Sequence, residues 1–197
     1  MSRIRSAVTG GSYLAPVDRV PPAMRVAIEA ISSDLARSDA DPDAIRVRIH
    51  QLEAAGRIDR PMKLSALSVL AASPHVRDYV EAARLASQQE FAALEEGGPH
   101  RDTYLASAAR HRGVITFLLG HHGAALDWFT RALELERTPE NVGNVLAALL
   151  ALGEVDDAID VVSGMRGVLP AELWDELCER IQHDADLVRL AEWLEAP

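Results

Sequence analysis

The chain of 197 residues has a single cysteine, Cys178. A lone cysteine closes no intramolecular disulfide, and no second thiol stands at C-x-x-C spacing, so neither a disulfide scaffold nor a cysteine-based zinc cluster follows. Lying between Leu177 and Ile181, it reads as a small core or near-core residue. Aromatic residues are few, at 5%, and β-branched runs of strand length are scarce. The longest fully apolar run, "VLAALLAL" (Val145 to Leu152), is far too short to cross a bilayer. The opening "MSRIRSAVTGGSYLAPVDRVPPAM" lacks the apolar segment of a signal peptide, and the expectation is a soluble, cytoplasmic protein. Lysine is nearly absent: Lys63 stands against 19 arginines, a usage that points to a GC-rich, bacterial genome. No G-x-S-x-G, phosphate loop, dinucleotide fingerprint or H-E-x-x-H occurs, so the common sequence signatures of hydrolases, nucleotide binders and zinc proteases are missing.

What is present is a helical composition: 48% hydrophobic residues, with Ala and Leu prominent. The length suits one domain with a real core. The net charge of −10 is unevenly placed, since residues 1–63 hold 10 basic and 8 acidic side chains and residues 64–197 hold 10 basic and 22 acidic. An acidic body repels phosphate backbones, so nucleic acid is disfavoured as a partner unless the N-terminal arginines gather on one face.

Along the chain, residues 1–22 carry "TGG" and separated prolines and read as a flexible arm, followed by one all-helical domain over 23–197. Met24, Ile28, Ile31 and Leu35 share a helix face. "SDADPDAIRVRIHQLEAAG" begins with carboxylates ahead of Pro42 and stops at Gly56. It has the outline of a calcium loop, but Ala44 stands where that loop needs glycine and His50 where it needs glutamate, so helix capping is the reading. Helices are predicted next over 61–73, 75–94, 102–119, 124–136, 140–152 and 155–165. Two more follow in "PAELWDELCERIQ" and "DADLVRLAEWL".

Placing Gly120 over Gly153 aligns Ala125 with Ala158, Leu126 with Ile159, Asp127 with Asp160, Phe129 with Val162 and Ala132 with Met165, an internal period of 33. The first copy is "GVITFLLGHHGAALDWFTRALELERTP" and the second "NVGNVLAALLALGEVDDAIDVVSGMRGVLP". With Gly113 in a first helix, Gly120 at the turn, then Ala125-x₃-Phe129-x₂-Ala132-Leu133 and Pro139, the first copy resembles the tetratricopeptide repeat. Arg112 and Thr116 depart from the pattern, at positions that are usually large and apolar. Ser87-x₃-Phe91-x₂-Leu94 outlines an earlier, degenerate copy. The resemblance implies an all-α, right-handed superhelix of antiparallel helix pairs, with repeats clearest at 105–139 and 140–170 and capping helices over 171–197.

The same resemblance implies a concave groove lined by the first helix of each pair, here Arg110, Val114 and Phe117, then Asn144, Ala147 and Ala151. Some members of the family clamp a C-terminal carboxylate there. Val114 stands where the clamp wants Asn, and the following helix offers Glu176 and Leu177 in place of cations. A mixed apolar groove for a helix or extended segment of a partner protein fits better. The expected function is that of a non-catalytic adaptor or chaperone-like scaffold with no cofactor and no metal; self-association is compatible with it.

Two rivals come from other classes. Asp156, Asp157 and Asp160 form D-D-x-x-D, the spacing by which some all-helical enzymes hold magnesium and a diphosphate. In the repeat alignment Asp156 and Asp157 fall over Gly123 and Ala124, and carboxylates in a first helical turn are explained by the helix dipole at about 0.3–1 kcal/mol each. The other rival is a regulatory module touching nucleic acid through its N-terminal helices. His121 and His122 sit in a turn, where adjacent side chains are expected to point apart into solvent, and His111 lies on the helix before them. Trp128, Trp174, Trp193, Tyr79 and Tyr104 lie in apolar stripes and read as packing residues.

Overall fold

The structure, a computed structural model, describes residues 26, 30, 31 and 33–194. The predicted arm over 1–22, together with Met24 and Ile28, lies outside them. Among the described residues every regular element is a helix. The order is α1 (Pro42–Ala54), α2 (Arg60–Ala72), α3 (Tyr79–Glu96), α4 (Arg101–Leu118), α5 (His122–Leu135), α6 (Pro139–Leu152), α7 (Val155–Met165), α8 (Ala171–His183), a 3₁₀ turn (Val188–Leu190) and α9 (Ala191–Leu194). Contacts gather into two compact units, divided within α4 between Ile115 and Thr116.

In the unit that ends at Ile115, Asp41 caps α1 by accepting from the backbone N–H groups of Asp43 and Ala44, with Pro42 at the first helical position. Ile45 and Ile49 of α1 pack with Ile31, Ile58 and Leu70, and Leu35 adds to the edge of this cluster. A second cluster joins Leu64 and Ala71 of α2, Ala82, Leu85 and Ala92 of α3, and Ile115 of α4. Helix α3 starts at Tyr79, four residues after the predicted His75. Residues 74–78 turn instead, Arg77 takes a left-handed φ of 56°, and Asp78 caps the helix by accepting from the Glu81 N–H. Arg112 of α4, half-buried, pairs with Glu90 at 3.0 Å and donates to the Ser87 hydroxyl at 2.8 Å. The cation is thus held on α4 by a carboxylate and a hydroxyl that α3 supplies. Phe91 is 67% exposed, whereas the degenerate repeat copy requires it buried; Ala92 and Ala93 take the inner face, so that copy is not present in α3.

In the other unit α6 is the central helix, packed against α5, α7 and α8. Val142, Val145, Leu146 and Leu149 are fully buried. Residues 33 apart share their degree of burial: Ala125 and Ala158 are fully buried, as are Ala132 and Met165, and Phe129 and Val162 are buried, while Leu126 and Ile159 are half-buried and Asp127 and Asp160 exposed. Gly120 and Gly153, at φ 81° and 79°, occupy the left-handed conformation that an L side chain resists. The predicted last helix is broken: residues 184–187 turn, with the Asp184 carboxylate accepting from the Asp186 N–H at 2.9 Å, before the 3₁₀ turn and the short α9.

Candidate functional site

Helix α6 starts from Thr138, whose hydroxyl accepts from the Asn141 N–H at 3.1 Å, with Pro139 in the first turn. Asn141 itself is fully buried. Its amide Nδ2 donates to the Glu136 carbonyl at 2.7 Å and the Ala132 carbonyl at 3.4 Å, a second bond on carbonyls that already accept from the Thr138 and Glu136 N–H groups. This tie fixes the entry of α6. The helix ends at Gly153, whose N–H reaches the Leu149 and Leu150 carbonyls.

With its apolar face buried, α6 leaves a second stripe. Asn144 and Ala147 are half-buried and Ala151 is exposed, and the i, i+3, i+7 spacing puts them on one face. Arg110, Val114 and Phe117 share one face of α4, and each is half-buried. Phe117 has a packing role: its ring lies 4.7 Å from His122 and 6.4 Å from Phe129, centroid to centroid.

The residue that sequence reasoning missed is Arg180 of α8. A Cβ built on Gly143 would stand 2.8 Å from Arg180 Nε, so the guanidinium stem crosses α6 where glycine leaves the space. That Nε is buried and has no hydrogen-bond partner. A signal was available, because glycine inside a helix costs about 1 kcal/mol relative to alanine and so asks for a packing reason. Nearby on α8, Leu177 is fully buried and Glu176 exposed. Burial, with Asp175 adding, pushes the Cys178 thiol up, so it stays protonated at neutral pH.

The other candidate groups stand apart from this stripe. Asp156 and Asp157 occupy the first turn of α7, Asp156 and Asp160 are exposed and Asp157 is half-buried. Among the described residues no three His, Cys, Asp or Glu side chains gather in a way that could hold a metal ion. His121 is exposed, but His122 packs on Phe117 and its Nδ1 is buried without a partner, so the pair does not point jointly to solvent as expected. Burial, aided by the Arg110 charge, lowers the pKa of His111 to about 3, which keeps it neutral. Trp128, Trp174 and Trp193 are half-buried, and two carry an arginine: Arg131 lies 5.7 Å from the Trp128 centroid and Arg166 lies 5.8 Å from that of Trp174. A shallow cleft beside α1, lined by Asp34, Arg37, Asp39 and Arg48, is closed by its own charges, since Arg37 pairs with Asp39 and Arg48 with Asp34.

No helix among the described residues is long and apolar enough to cross a membrane. No protein-family model, no curated protein and no solved structure matches the chain.

Proposed function

We propose that the chain is a non-catalytic interaction module of tetratricopeptide-like build. In this reading it takes an extended or helical segment of a partner protein along the α6 stripe of Asn144, Ala147 and Ala151, beside Arg180. The observation that carries the proposal is the chemistry of that stripe. Small side chains leave room for a partner backbone, an amide can pair with it, and Arg180 holds a buried Nε–H for which no acceptor stands among the described residues. A buried donor without a partner costs about 1–3 kcal/mol, which a partner carbonyl or carboxylate would recover by drawing the guanidinium off Gly143. The repeat-like build is supported by the matched burial at a spacing of 33, the two left-handed turn glycines and the packing of α6 on α8 as well as on its sequence neighbours. As an adaptor or chaperone-like scaffold it needs no metal and no cofactor.

The test is co-purification from the native cell, followed by binding measurements with the retained protein. Ala147→Arg and Ala151→Arg should each weaken binding by roughly tenfold or more by filling the stripe, while Glu134→Lys on α5 changes it little. Retained binding in both stripe variants would remove the assignment. Stabilisation by magnesium with diphosphate that disappears in Asp156→Asn/Asp157→Asn would instead favour the enzymatic reading.

A further inference from the structure

Helices α5, α6 and α7 follow one another through short connections and α6 packs on both of the others; short connections make such neighbours antiparallel, which places the turn before α5 and the turn before α7 at the same end of their unit. Four large apolar side chains stand open at that end. Leu118 and Leu119 are each 53% exposed, Leu152 is 40% and Val155 is 39% exposed. Leu119 and Leu152 are 33 residues apart, the spacing of the turn glycines, so equivalent positions of two successive turns carry the same unburied side chain. Single exposed leucines are ordinary on a protein surface, but a group of them on one edge marks an interaction site.

The surroundings of this edge are acidic. Glu154 and Asp156 are exposed beside Leu152 and Val155, and residues 116–197 hold 16 acidic and 5 basic side chains. A second copy would meet it with like charge, and nucleic acid or an anionic membrane would be repelled. The complement is an apolar stripe flanked by cations. Helices α5 and α7 each pack on α6, and packed helices lie about 8–10 Å apart, so the two turns stand within about two helix spacings, a span that a docked helix of about 14 residues covers at about 1.5 Å per residue.

We propose that this turn edge docks a basic amphipathic helix of a partner protein, its leucine-like side chains on Leu119 and Leu152 and its Lys or Arg groups on Glu154 and Asp156. The surface is separate from the α6 stripe and does not depend on it.

The probe is a labelled synthetic helix of about 14 residues with leucine at heptad spacing and lysine elsewhere, measured by fluorescence anisotropy with the full chain. A leucine and glutamate counterpart is run beside it. The lysine helix should bind, more weakly as salt rises from about 50 to about 300 mM, and the glutamate helix should not. Leu119→Ser/Leu152→Ser and Glu154→Lys/Asp156→Lys should each weaken binding by roughly tenfold. Glu172→Lys/Glu176→Lys makes the same change of charge on α8 and should alter it less than about twofold. All these positions are solvent-facing to a large degree, and circular dichroism checks that the helices persist. Failure of the lysine helix to bind, unchanged binding in the leucine variant, or an equal loss in the α8 variant would overturn the proposal.

Discussion

Asp59 holds two elements at once. One carboxylate oxygen caps α2 through the Met62 N–H at 2.9 Å, and the other accepts the hydroxyl of Tyr104 from α4. Burial, reinforced by that bond, raises the Tyr104 pKa, so the phenol stays protonated and a donor at neutral pH and well above it. Tyr104→Phe should lower stability by about 1–2 kcal/mol, because the carboxylate loses a buried partner while its capping bond remains; urea unfolding measures this, and an unchanged midpoint would show the bond to be idle. His111 gives the fold a pH dependence of known sign. Its folded pKa of about 3 lies below the ordinary 6.5, so below pH 6.5 the unfolded chain takes up a proton that the native site refuses. Stability from this residue is complete above pH 6.5 and falls on acidification by about 1.4 kcal/mol per pH unit until the native site titrates. Urea midpoints at pH 7 and pH 5 should therefore lie further apart in the natural chain than in His111→Leu. Equal separations would mean that His111 is hydrated.

At the scale of elements, Ala125 and Ala158 are fully buried at matching places on α5 and α7. Ala125→Leu or Ala158→Leu should each cost about 1–3 kcal/mol by overpacking, read as a lower denaturation midpoint. The helices from α4 to α8 were legible because Gly120, Gly153, Pro139 and Pro170 punctuate them and because apolar spacing repeats between. The start of α3 was not. Pro74 suits a first helical turn, and only the structure shows the Arg77 turn and the Asp78 cap that delay the helix. The end of the chain misled for a related reason, since Asp184 closes a turn with its own side chain where periodicity alone continues a helix. Phe91 misled through composition: a large aromatic in a repeat-like spacing reads as core, yet the alanines of α3 fill the inner face and leave the ring outside. Of the proposed site, Asn144, Ala147 and Ala151 were named from the resemblance to the tetratricopeptide repeat, and the structure leaves them on one face of α6, half-buried or exposed. Arg180 was not named, because its place over Gly143 is set by how α8 crosses α6, which no local pattern encodes. The division of the chain inside α4 was equally invisible, since the helix runs through it without a break.

For the molecule as a whole, charge is the dominant long-range quantity, with a net of −10 that residues 116–197 more than account for. Like charges at this density oppose compaction. Raising ionic strength from about 0.01 to about 0.15 M shortens the screening length from about 30 to about 8 Å, and the melting temperature should rise by roughly 2–4 °C. A fall would show that ion pairs such as Arg112–Glu90 outweigh the repulsion. A different consequence belongs to Asn141. Because its side chain grips the Ala132 and Glu136 carbonyls from inside α6, the segment between α5 and α6 has a length set to the residue. An inserted glycine between Glu136 and Thr138 would carry the amide away from both carbonyls. The same insertion between Gly98 and Pro99, both exposed in the connection before α4, lies beside no buried side chain. Natural length variation among descendants of this chain should accumulate at the second place and be purged at the first.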